Sequence, residues 1–244
     1  PPYAHSFLLT AVVSPDYVDL TGDGPTEDDF GYYSKFNYTN TSTVSDPYEW
    51  RIPYNNLKSN YSKGYYSDTG DDKGSFTYGT KELYYLNSVE TKTHVAIFNI
   101  SNRTDGRGVT GEDGGLHPLN SNYQKKLDSI ELYSKDDPDN PITVVHFEYD
   151  YSLCDDVDNG SSGKLTLKKV WFTHLGNDKG SLSPYQFDYF QGGTEDDHNN
   201  PDYDLNQMDR WGNYQPDALT ALDLTPSTGE WTHREYLNTE NPYT

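Results

Sequence analysis

The chain has 244 residues, enough for one large all-β domain or two small ones, and carries 18 Lys+Arg against 39 Asp+Glu, a net charge of −21. That balance leaves no basic surface to displace counterions from nucleic acid and none to hold an anionic membrane, and no apolar run is long enough to span a bilayer. Only 32% of residues are hydrophobic, but 23 are Tyr. Disordered chains are poor in aromatics, so this composition describes a folded sheet protein with a thin, Tyr-rich core.

Strand patterns run through the chain in order. Residues 6–14 form an apolar, β-branched run ended by Pro15. A loop follows with oxygen-bearing side chains at alternate positions, Asp19, Thr21 and Asp23, then Gly24, then Glu27, Asp28 and Asp29. Calcium takes six to eight oxygens from a flexible loop. Asp19, Thr21, Asp23 and Asp28 or Asp29 are therefore candidate calcium ligands, with backbone carbonyls completing the shell. The alternative is an Asp/Gly turn whose side chains cap its own backbone.

Residues 30–38 alternate around aromatics. Residues 46–61 could hold a short helix. Runs at 82–90 and 93–100 form a strand pair, and 101–123, with five glycines, reads as a loop. Period-two strands follow at 126–133, 142–151, 164–173 and 184–190. Asp/Asn/Gly/Pro turns separate them, as expected of a hairpin meander. Residues 192–209 read as a polar acidic loop, and 216–224 could hold a second short helix. The fold class is all-β: an antiparallel hairpin meander, part of a larger sheet shell or sandwich, with long acidic loops. Residues 1–244 read as a single segment, with a weak subdivision at 1–123 and 124–244.

Cys154 is the single cysteine, so no internal disulfide forms, and a buried apolar role fits it better than a nucleophile. No two histidines stand at His-x-x-x-His spacing, and no Gly-x-Ser-x-Gly elbow exists. His94, His146 and His174 lie in strands, where packing on the sheet face is expected. The acid cluster at 195–202 lacks regular spacing and reads as a solvated loop. Aromatic doublets and motif members offer stacking faces for sugar rings; Trp211, Tyr214, Tyr65 and Tyr66 are the candidates. Pairing of such rings across strands is the competing use.

A hairpin echo links Lys126-Leu127 to Lys164-Leu165, each followed by an aromatic-ended strand (Phe147 to Tyr149, Phe187 to Tyr189), at a period near forty residues. This echo, the opening Val18-Asp-Leu-Thr-Gly-Asp-Gly24 and the element Asp209-Arg-Trp-Gly-Asn-Tyr214 together resemble Rhs/YD-repeat proteins, the B-component of insecticidal toxin complexes, and the very large exported Rhs-like proteins of Bacteroidetes. The sequence departs from the family in lacking a plain Tyr-Asp repeat series. It also has Phe30 where the calcium loop ends on an acid. The resemblance implies a non-catalytic sheet shell or scaffold segment of a larger secreted or cell-surface protein, stabilised by calcium. Its partners would be the remainder of a parent chain, with glycans or other surface proteins as further candidates. A carbohydrate-binding or adhesive module is the alternative function, and a glycan-active enzyme a third.

Overall fold

The computed structural model describes residues 6–43, 45–52, 54, 60–61, 74–115, 122–158, 160, 162–189 and 202. They form twelve strands: β1 (Ala11–Val13), β2 (Tyr33–Asn40), β3 (Tyr48–Ile52), β4 (Asn60–Tyr61), β5 (Gly74–Ser75), β6 (Thr77–Lys81), β7 (Tyr84–Glu90), β8 (His94–Arg107), β9 (Tyr123–Ser134), β10 (Thr143–Leu153), β11 (Lys164–His174) and β12 (Tyr185–Gln186). Eight make one antiparallel sheet in the order β1-β2-β7-β8-β9-β10-β11-β12, and β3–β6 and β4–β5 form separate pairs. The protein is all-β, as its alternating, Tyr-rich strands predict.

Four expectations need correction. Residues 46–61 carry strand β3 where a helix was considered; Tyr48, Trp50 and Ile52 lie opposite Lys81, Gly79 and Thr77 of β6, and tertiary pairing overrides a weak local signal. The loop expected from residue 101 starts later, because β8 runs on to Arg107 against β9. The last strand is shorter than 184–190, with only two residues paired. Cys154 is half-buried in a left-handed turn (φ 54°), so it is not the buried apolar filler expected. The second considered helix, 216–224, and the acidic loop at 192–209 lie outside the described residues, apart from exposed Asp202.

The large sheet is a tandem array of one hairpin. Each unit has a first arm carrying Phe and a second arm carrying Leu-x-x-(Val/Ile). Phe36 pairs with Val89, Phe98 with Ile130 and Phe147 with Val170. One residue later the register slips at the same place in all three. Tyr38 faces Leu86, Ile100 faces Leu127 and Tyr149 faces Leu167, which leaves Asn87, Asp128 and Lys168 as the extra residue of a bulge. The bulge thus aligns Leu127 with Leu167, two positions from the Lys-Leu echo visible in the sequence.

Side-chain bonds repeat with the register. Asn37 Nδ2 donates to Ser88 Oγ (3.0 Å) and Glu90 Oε1 (2.6 Å). Asn99 Nδ2 donates to Ser129 Oγ (2.9 Å) and Glu131 Oε1 (2.8 Å). In the third unit an ion pair stands there, Lys169 to Glu148 at 2.7 Å. On the same strand pair His146 stacks on Trp171, with centroids 5.0 Å apart.

The sheet has little core of its own; every residue of β9 is only half-buried. The most buried apolar side chains outside it, Tyr48, Val109 and Val157, gather with Leu153 at the end where the long connections lie. There the β3–β6 pair clamps the 106–112 segment. Val109 N donates to Glu49 O (3.0 Å), Gly111 N to Glu49 Oε2 (2.8 Å) and Tyr48 OH to Gly106 O (3.3 Å).

Candidate functional site

Antiparallel alternation sends every link from a second arm to the next first arm to one end of the sheet. Segment 14–32, which holds the acidic loop, therefore shares that end with the turns at 91–93 and 135–142. The loop is closed by Val18 and Phe30, whose amides and carbonyls exchange two bonds of 3.1 Å. Gly31 follows at φ 80°, and a Cβ there would lie 2.7 Å from Tyr17 Cα, so only glycine fits.

Asp29 is the internal anchor of the loop, with 1% of its surface exposed. Its Oδ1 accepts from Leu20 N (2.9 Å); its Oδ2 accepts from Tyr17 OH (2.8 Å), Thr26 N (2.9 Å) and Thr26 Oγ1 (3.3 Å). These donors, the Leu20 amide first, hold its carboxyl below the usual range against the opposing effect of burial. Burial, then the bond to Asp29, raises the Tyr17 phenol. Asp19 caps the outer turn, accepting from Thr21 N (3.2 Å), Gly22 N (2.6 Å) and Gly24 N (3.0 Å). Thr21 Oγ1 donates to Asp23 Oδ1, and Thr26 Oγ1 to Asp28 Oδ1 at 2.6 Å.

Three lysines from three parts of the sheet hold this acidic loop down. Lys35 of β2 donates to Pro25 O (3.3 Å), and Lys92 donates to the Asp29 carbonyl. Lys135 pairs with Glu27 (2.8 Å) and Glu90 (3.6 Å). No spacing in the sequence marks these lysines as partners of the loop; topology alone brings them there.

A carboxylate has about four lone-pair positions. Asp29, 1% exposed beneath the Leu20 and Thr26 amides and the Tyr17 phenol, offers a cation no open lone pair, whereas Asp19 accepts three bonds on an exposed turn and keeps one. Asp19, Thr21, Asp23 and Asp28 are the exposed oxygen-bearing side chains of this loop among the expected calcium ligands. A calcium ion there would need backbone carbonyls and water to complete six to eight oxygens. Among the described residues no three His, Cys, Asp or Glu side chains gather as a metal-binding group. The sugar-stacking candidates Trp211, Tyr214, Tyr65 and Tyr66 lie outside the described residues.

At the opposite end sits a second buried carboxylate that spacing did not single out. Asp105, 4% exposed, takes both arms of Arg103 (Nε 3.0 Å, Nη2 2.7 Å) and the Leu165 amide (3.0 Å). Burial alone would raise its carboxyl, but the guanidinium and the amide outweigh it and hold it low.

Fold and site together define a class: an antiparallel sheet of repeated hairpins, with an acidic loop clamped across one end. The chain has no significant match among protein-family models, curated proteins or solved structures.

Proposed function

We propose that this chain is a non-catalytic β-sheet scaffold segment of a large secreted or cell-surface protein of the Rhs-like kind. The observation that carries the reading is the hairpin array itself. Three units share one register and one bulge, and among the described residues β1 and β12 each pair on one side alone. Such a sheet spaces or walls off other parts of a larger body. The chemistry of its acids supports the same reading. A general acid needs a carboxyl raised toward neutral pH, and the two most buried carboxylates among the described residues, Asp29 and Asp105, are both held low by structural donors.

Within this reading the acidic loop is a structural calcium site built on Asp19, Thr21 and Asp23, with Asp29 as its frame. Thermal unfolding in millimolar calcium against excess chelator tests it, since a ligand of the folded state raises Tm. The expected rise disappears in Asp23→Ala; an unchanged Tm reduces the loop to a self-capped turn. Hydrolysis of any glycan substrate that vanishes on one Asp or Glu substitution would replace the scaffold reading with an enzyme. An adhesive, sugar-binding module is the second reading, favoured by the exposed ring of Tyr32, 74% accessible beside the loop. A glycan array with Tyr32→Ala as control separates the two.

A further inference from the structure

The repeat register extends past the three complete hairpins. Where a second arm meets the next first arm, Ser88 pairs with Ile97, Ser129 with His146 and Lys169 with Gln186. At the β1–β2 boundary Ala11 pairs with Lys35, and Lys35 precedes Phe36 as Ile97 precedes Phe98. Ala11 therefore occupies the place of Ser88, Ser129 and Lys169. Leu9, Ala11 and Val12 then match Leu86, Ser88 and Val89, and Leu127, Ser129 and Ile130. Among the described residues, 9–13 are a complete second arm with no first arm paired to their outer side. At the far edge Phe187 and Tyr189 take the places of Phe147 and Tyr149, a first arm.

Burial follows this placement. Leu86, Val89, Leu127 and Ile130 are half-buried, whereas Leu9 and Val12 are 55% and 54% exposed. Among the described residues the outer backbone of β1 is unpaired too. Phe36 N donates to Thr10 O and Ser14 N to Tyr32 O, so alternation turns the amides and carbonyls of Ala11 and Val13 away from β2. Residues 6–14 carry no charge in a chain of net charge −21, and β1 lacks the lysines, bulges or prolines with which exposed edges are usually blunted.

We propose that the β1 edge is a docking site for an extended strand of first-arm chemistry, Phe-x-(Tyr/Ile) with polar residues between. That strand adds antiparallel, with its Phe opposite Val12 and the following residue opposite Ala11, and completes a fourth hairpin by main-chain pairing. The scaffold reading supplies the reason to leave such an edge open; the register argument stands on the pairing alone.

The test uses a fluorescent peptide with the sequence of Tyr33–Asn40, titrated against the full chain by anisotropy. Saturable binding is expected. Ala11→Pro removes an outward N–H while sparing the bonds to β2, and should weaken binding at least about tenfold with an unchanged melting curve. A peptide N-methylated at the residue matching Asn37 should lose the same factor, which keeps the test decisive if Ala11→Pro unfolds. Self-association of the chain that Ala11→Pro abolishes and the peptide competes away also supports the proposal, because a second copy presents the Phe187–Tyr189 arm. Absence of saturable binding, or equal binding by scrambled or N-methylated peptide, overturns it. Such a failure leaves the hairpin array intact, whereas glycan hydrolysis would remove the scaffold reading and leave the peptide result standing.

Discussion

Asp29 and Asp28 are neighbours with opposite duties. Asp29 is buried under the Leu20 and Thr26 amides and the Tyr17 phenol, and among the described residues Asp28 bonds to the Thr26 hydroxyl alone. Asp29→Asn should therefore lower Tm clearly more than Asp28→Asn, because an amide cannot accept on both ends. Asp105→Asn leaves the Arg103 guanidinium short of its counter-charge in a largely buried knot, and should cost roughly 3 kcal/mol in urea unfolding. The pH dependence follows from the sign of the shifts. Both carboxyls sit below their ordinary value of 3.8. Their stabilisation is full above that value and is lost as pH falls through the lower folded values. Acid unfolding should begin below about pH 3.8 and shift to higher pH in either Asn variant. At the alkaline end burial pushes the Tyr48 phenol up to about 12 and raises Tyr54 further. An ultraviolet titration should show these two ionising only as the fold opens.

The acidic loop and the hairpin unit are each held by a few positions. Gly31 is one: its positive φ and its contact with Tyr17 leave no room for a side chain. Gly31→Ala should cost at least about 1 kcal/mol, read as a lower urea midpoint at constant slope. Lys135 is another, since it reaches Glu27 of the loop and Glu90 of β7. Lys135→Ala should loosen the loop, and limited proteolysis should then cut within residues 19–29 sooner. Because the pairs are half-exposed, the difference should shrink in high salt. The hairpin rests on its bulge: the Asn, Ser and Glu ladder of the first two units closes immediately beside it, on the same side in both. The strands themselves were legible in the sequence as period-two runs. The bulge was not, because the second arms differ at the extra residue (Asn87, Asp128, Lys168) and only cross-strand pairing reveals their equivalence.

At the scale of the whole molecule, the eight-stranded sheet distributes its stability unevenly. Strands β7 to β11 have partners on both sides, whereas β1 and β12 have one. Hydrogen exchange should therefore protect β8, β9 and β10 longest and release β1 and β12 first. Slowed exchange across residues 9–13 on adding the first-arm peptide would report edge pairing directly.

The sequence by itself determined the all-β class, most strand positions, the acidic loop and the near-forty-residue echo. Each of these is local: period-two alternation, Gly and Asp turn chemistry, and composition act within a few residues. Tertiary structure alone decided which acids are anchors and which face water, because Asp28 and Asp29 differ only in which way the closed loop turns them. It also decided the true repeat register, since residues such as Phe36 and Val89 meet across more than fifty intervening positions. The lysine clamp has the same origin. Lys35, Lys92 and Lys135 converge on one loop because strand alternation brings their segments to one end of the sheet, a consequence of topology that spacing along the chain does not encode.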